Sequence, residues 1–244
     1  MINSNMAEII SQNWQSAIAA VSEACAAAGR RYEEVTIVGV TKYVAPELAW
    51  QLSCAGCKIL GENRPQSLWE KYEYFKQQTP DANEPACQWH LIGHLQRNKA
   101  RRTLPMLSCL ESLDSLRLAE SVSSLAQDLN IELDVLLEVN ITQDASKTGL
   151  TPQELQQQLP HFMSLPGLRL AGLMAMATLG ANGDAARCEF AAVRQLRDTL
   201  SAASGLELSK LSMGMSGDFR EAIAEGATQV RLGTLLWDRV ITHD

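Results

Sequence analysis

Short runs of Val, Ile and Leu alternate with longer stretches of helical period from Val35 almost to the end of the chain, and this alternation constrains the fold more than any other feature. The apolar runs are Val35 to Thr41, Lys58 to Gly61, Trp89 to Gly93, Met106 to Ser112, Leu133 to Asn140, Leu170 to Met176, Leu208 to Met213 and Gln229 to Gly233. Runs of this kind suit strands buried on both faces, as in a parallel sheet. Between them lie helix candidates at Pro46 to Ala55, Pro65 to Gln77, Leu116 to Asn130, Pro152 to Phe162, Ala185 to Ala203 and Asp218 to Glu225. Eight strand-helix units in 244 residues imply a single closed (β/α)8 TIM barrel. An open doubly wound sheet shares the alternation, but TIVGVTKYVAP carries Lys42 where a dinucleotide site needs a glycine turn. Ahead of the first run, Asn5 to Ala28 places Ile10, Trp14, Ile18, Val21 and Cys25 at helical spacing and stops at Gly29, which predicts an extra N-terminal helix.

With 46% hydrophobic and 20% charged residues the chain can bury one substantial core, and residues 1–244 read as one domain. The segment QQTPDANEPACQ (77–88) reads as a loop within it. A net charge of -7 argues against a phosphate-backbone partner. The basic run RNKARR, Arg97 to Arg102, reads as the solvated face at the start of a helix, with no aromatic companion. The chain shows neither a signal-peptide pattern nor a stretch of ~20 apolar residues, so a soluble, cytoplasmic protein is expected. Its six cysteines lack framework spacing, and disulfides are not expected.

Chemistry in such a barrel collects at the carboxyl ends of the strands. Lys42 ends the first run, Glu62 and Asn63 the second, and His90 and His94 bracket the third. Asp114 follows the fourth, Asn140 ends the fifth, and Met174 and Met176 lie in the sixth. A desolvated lysine is an amine nucleophile for carbonyls, so Lys42 fits a Schiff base. The corner Ser212 to Gly217 sets small residues before a helix opening near Asp218, where backbone N–H groups and a hydroxyl can approach an anion. Gly233 and Thr234 repeat that chemistry after the eighth run, and these two loops are the recurrent phosphate site of the fold. Arg231 faces the opposite way from Val230 and Leu232, so it either snorkels outward or points into the barrel, where it must meet an acceptor such as a pyridine nitrogen.

The motifs GVTK, GENRPQ, WHLIGHLQRNK, EVNITQDASKTG, GLMAM and LSMGMSGDFREAIAEGATQVRLGT, in this order from about Val35 to Trp237, resemble the YggS/PROSC (PLPBP) family of pyridoxal phosphate homeostasis proteins. The resemblance implies a barrel like the N-terminal domain of alanine racemase, with pyridoxal 5'-phosphate (PLP) bound to Lys42 as a Schiff base. It implies further that Arg231 meets the pyridine nitrogen, that Ser216, Gly233 and Thr234 hold the phosphate with the Met215 backbone, and that Asn63 lies beside the ring. His90 would stand near the pocket or serve as a core histidine satisfied by backbone. The chain departs from the family pattern at Tyr43, at His94 and in TLLWD, the first two bearing on access to the cofactor and the last on the outer wall of the phosphate loop.

An arginine opposite the ring nitrogen keeps that nitrogen unprotonated and weakens the electron sink, and racemisation needs a base on each face of the carbanion. The expectation is therefore little turnover, and the resemblance implies a monomeric PLP carrier for vitamin B6 and amino-acid or keto-acid balance, with PLP-dependent apoenzymes as partners. A low-activity amino-acid racemase and a Schiff-base aldolase are the alternatives. Cys54 and Cys57 have redox spacing but fall at a helix end, Asp144 to Lys147 reads as loop, and the methionine pairs read as packing rather than metal ligands.

Overall fold

The computed structural model describes residues 4–79, 87–142, 148–178, 180 and 183–241. Most of the 77–88 segment and all of Asp144 to Lys147 lie outside these residues.

Eight parallel strands close in sequence order: β1 Thr36–Val40, β2 Ile59–Glu62, β3 Gln88–Leu91, β4 Cys109–Leu113, β5 Leu133–Val139, β6 Leu168–Ala175, β7 Lys210–Met215 and β8 Gln229–Leu232, with β8 paired back to β1. The helices are α1 Ser4–Ala27, α2 Pro46–Cys54, α3 Pro65–Gln78, α4 Arg97–Thr103, α5 Leu116–Leu129, α6 Pro152–Met163, α7 Gly183–Ser204 and α8 Phe219–Ala224. Local chemistry sets their starts and stops. Proline opens α2, α3 and α6, where its missing N–H has no intrahelical partner to lose. Thr151 and Glu154 form a reciprocal capping box on α6, and Asn130 ends α5 in the left-handed region at φ 52°.

The expected N-terminal helix is present, and it has a structural assignment. No helix follows β8 among the described residues, and α1 packs against both α8 and α2, the position an eighth outer helix would take. Ile10, Trp14, Ala17 and Val21, three or four residues apart, form its buried face. Asn13 donates from Nδ2 to the carbonyls of Leu236 (3.1 Å) and Asp238 (2.8 Å), fastening the chain beyond β8 to this helix.

Several boundaries differ from the sequence reading. β4 begins at Cys109 because Leu104–Met106 forms a 3-10 turn, and β7 runs to Met215 rather than ending at Met213. The eighth helix is shorter than expected, six residues from Phe219. RNKARR opens helix α4 and does have an aromatic companion: Arg102 lies over the Trp69 ring at 4.2 Å, while Arg101 pairs with Asp128 at 2.6 Å. All six cysteines are free. No described helix is long and apolar enough to cross a membrane.

The main apolar core lies between the strands and the helices. A second small cluster, Cys109, Leu136, Ala171 and Met174, is separate from it. Cys109 and Leu136 precede Glu111 and Glu138 by two residues, so the same strand faces turn from apolar to polar toward their carboxyl ends.

Candidate functional site

The backbone around Lys42 is pinned from three directions. Trp237 on the chain after β8 donates from Nε1 to the Val40 carbonyl at 2.7 Å. Thr41, fully buried, donates from Oγ1 to Glu62 Oε1 at 2.7 Å, and its carbonyl accepts from Lys71 Nζ at 3.0 Å. Lys71 also pairs with Glu62, so a buried ion pair between α3 and β2 underlies the lysine. Tyr43 then turns the chain at φ 74°, a left-handed conformation that aromatic residues seldom adopt, and its side chain is 75% exposed.

Lys42 opens onto a cavity of about 440 Å³ at the carboxyl end of the barrel. Asn63, Met215, Ser216, Arg231, Gly233 and Thr234 line the same cavity, so the residues singled out from the sequence meet in one place. Ile92 and Met176 supply apolar wall. Asn63 owes its position to Gly93, since a Cβ there would stand 2.4 Å from the Asn63 carbonyl oxygen.

The β7 corner is shaped by Asp218. Its Oδ1 accepts the Met215 N–H at 2.5 Å, and its own N–H donates to the Met215 carbonyl at 3.1 Å. The Met215 amide is thereby engaged within the loop, while Ser216 Oγ accepts from Gly233 N at 3.2 Å and ties the two small-residue loops together. Burial raises the Asp218 pKa, opposed by the Met215 amide and by Arg231, which holds back negative charge beside the corner.

Of the two orientations open to Arg231, the inward one is found, with 4% exposure. Its Nη1 donates to both the carbonyl and Oγ of Ser212 at 2.8 Å, and Nη2 donates to the Ala175 carbonyl at 2.9 Å. Ser212 Oγ in turn donates to Glu111 Oε2 at 2.6 Å, and the other oxygen of Glu111 lies 2.5 Å from His90 Nδ1. Burial lowers the Arg231 pKa, and Glu111, Asp218 and Glu138 act against that. Burial alone would raise Glu111, yet the bond from His90, the charges of His90 and Arg231 and the Ser212 hydroxyl leave it lowered. His90 is thus a core histidine, satisfied by a carboxylate rather than by backbone, and it does not line the cavity. His94 follows Gly93 of the cavity wall but does not itself line the cavity; it is half-exposed, with Nδ1 2.5 Å from Asp114 Oδ2. Among the described residues no group of three or more His, Cys, Asp or Glu is arranged to hold a metal ion.

Residues 17–238 match the family described as alanine racemase, N-terminal domain. The pyridoxal phosphate homeostasis protein of Aquifex aeolicus is 37% identical over 217 residues, covering 89% of this chain and 92% of its own length. The chain belongs to the pyridoxal phosphate homeostasis protein family. Two solved structures carry the relation into three dimensions. A crystal structure of an unknown protein from Bifidobacterium adolescentis superposes with a TM-score of 0.90 at 32% identity, covering 97% of each chain. PipY of Synechococcus elongatus, solved with PLP bound, gives 0.77 at 33% identity, covering 88% of this chain and 99% of that one.

In this member of the family, sequence reasoning missed Glu111 and the Lys71–Glu62 pair. Glu111 left a signal, a carboxylate inside the apolar run CLESL, which is too costly to bury without partners. Lys71 left none, because a lysine in WEKYEYFK looks like any solvated helix residue.

Proposed function

We propose that this chain binds PLP through a Schiff base to Lys42 and acts as a carrier in PLP homeostasis rather than as a turnover enzyme. In this reading Ser216, Gly233 and Thr234 receive the phosphate without the expected Met215 backbone, whose N–H Asp218 Oδ1 already engages, Arg231 faces the ring nitrogen, and Asn63 and the Met215 side chain flank the ring. The observation that carries it is the convergence of an amine, a cationic donor and two small-residue loops on one cavity of about 440 Å³, within the size range of cofactor sites. The residues fit the group: among the described residues Gly233 meets only Val40, at 3.6 Å from where a Cβ would stand, and Gly217 meets nothing within 4 Å. The family and the PLP-bound relative support the same ligand.

Bound PLP supplies an electrophilic carbonyl and an electron-withdrawing ring. Among the described residues lining the cavity, Lys42 and Arg231 alone are titratable, and arginine does not give up its proton. A racemase needs two bases, so this lining favours carriage. PLP-dependent apoenzymes are the recipients, and the carrier works as a cytoplasmic monomer.

The test is a visible spectrum of the purified protein with PLP, before and after borohydride, beside Lys42→Ala. A yellow band fixed covalently by reduction in the wild type and missing from the variant is expected. A chain that stays colourless with added PLP would overturn the reading, and Cα proton exchange from an amino acid would overturn the carrier half of it.

A further inference from the structure

Four buried side chains run in series through the barrel interior: His90 on β3, Glu111 on β4, Ser212 on β7 and Arg231 on β8, none more than 4% exposed. The contacts, from 2.5 to 2.8 Å, leave Glu111 with both oxygens engaged and Ser212 Oγ accepting from one charged partner and donating to the other. Only Arg231 of the four lines the cavity. We propose that Glu111 is the positioning residue for Arg231, supplying its buried counter-charge and, through Ser212, fixing the guanidinium that the cavity presents to PLP. This rests on the reading that the cavity takes PLP.

The argument is one of necessity and direction. A guanidinium this deep requires a compensating anion, and Glu111, on the strand opposite β8 in the closed barrel, reaches it through one hydroxyl. The two Nη atoms are committed to Ser212 and Ala175, which fixes the plane of the group before any ligand arrives. His90 holds the far oxygen of Glu111, so the carboxylate cannot swing away from Ser212 without losing a second buried contact. Glu111 touches no atom of the cavity and acts only through Arg231.

The experiment is a double-mutant cycle read by the PLP dissociation constant and by the absorption maximum of the bound cofactor. Glu111→Gln is expected to weaken PLP about tenfold and to shift the maximum, whereas adding it to Arg231→Gln should change affinity less than about twofold. Ser212→Ala, which cuts the link and keeps both charges, should move affinity and maximum in the same direction by a smaller amount, and it carries the cycle if Glu111→Gln does not fold. An equal loss in both backgrounds, or wild-type affinity and spectrum in Glu111→Gln and Ser212→Ala, overturns the inference while leaving PLP binding intact. A wild-type chain that takes up no PLP overturns the underlying reading, and that result appears before any variant is made.

Discussion

Lys71 Nζ donates to the main-chain carbonyl of Thr41 at 3.0 Å, one residue before Lys42, while pairing with the carboxylate of Glu62. A helix side chain thus reaches under the first strand and holds the backbone that presents the cavity's lysine. Both charges are almost wholly out of solvent, at 3% and 0% side-chain exposure, and Glu62 Oε2 is buried without a hydrogen-bond partner among the described residues. Truncating one member strands the other. Lys71→Met is expected to cost about 3–5 kcal/mol, and the double change Lys71→Met with Glu62→Leu should restore most of it, because a buried pair replaced by apolar volume is often neutral. Urea unfolding of the wild type and the two variants checks this; a double variant no better than the single would mean that the Thr41 contact, rather than the stranded charge, sets the cost.

Two buried glutamates in the barrel respond to acid in opposite senses. Glu111 has its pKa lowered from the ordinary 4.5, since its contacts with His90, Arg231 and Ser212 outweigh burial. It therefore contributes stability above the carboxylate range that is lost as pH falls through the folded value. Burial raises Glu138 above 4.5, against the Thr148 hydroxyl at 2.5 Å and the charges of Arg231 and His94, with Asp114 adding to the rise. Its contribution is present at low pH and is lost as pH rises through the folded value. Glu138→Gln should thus be more stable than wild type at about pH 7.5, with the advantage closing by about pH 4. Denaturant midpoints at the two pH values decide it, and a gap that widens on acidification would reverse the assignment.

The barrel was legible because its alternation is written along the whole chain, each strand and helix carrying its own local period. The site was legible for a related reason: Lys42, Asn63, Ser216, Arg231 and Gly233 all stand at strand ends, where the fold itself gathers them. What stayed hidden needs contacts between distant segments. The role of α1 as the helix between α8 and α2 depends on the Asn13 bonds to Leu236 and Asp238, more than two hundred residues away. Glu111 could be flagged as costly, but its partners come from β3 and β7, and which side chains meet inside a barrel depends on strand stagger that no local period encodes. The β7 end was misjudged because SMGM reads as a loop while its backbone continues the ladder to Met215, paired with Arg231.

Thiol reactivity should follow burial. Burial pushes the Cys57 thiol up to about 12 and also raises Cys25, Cys87, Cys109 and Cys54, but of these only Cys54 is exposed, as is Cys188. The native protein is expected to present two thiols to a disulfide reagent at neutral pH and all six after unfolding. Cys54 and Cys57 should not act as a redox pair, since one member lacks the thiolate needed to attack. Mass spectrometry after native alkylation would expose the error if Cys57 were labelled alongside Cys54.

Glycines around the cavity should differ sharply in their tolerance of a methyl group. At Gly93 a Cβ would stand 2.4 Å from the Asn63 carbonyl, a main-chain atom that cannot rotate away, so Gly93→Ala must push the β2 corner and with it Asn63. Gly214 combines φ 91° with an approach of 2.5 Å to Ala222 Cβ, so Gly214→Ala strains the chain and drives α8 off the β7 corner. Gly233 lies at the same rim but meets nothing closer than Val40 Cβ at 3.6 Å, ordinary contact. Gly93→Ala and Gly214→Ala are each expected to lose about 1–3 kcal/mol of stability, and Gly233→Ala well under 1 kcal/mol. PLP affinity should fall in all three, for different reasons: misplaced neighbours in the first two, and in Gly233→Ala a methyl group on the loop proposed to receive the phosphate. Thermal melts paired with PLP titrations separate these cases. Gly233→Ala that melts with wild-type stability and also binds PLP with wild-type affinity would move the phosphate away from the β8 loop.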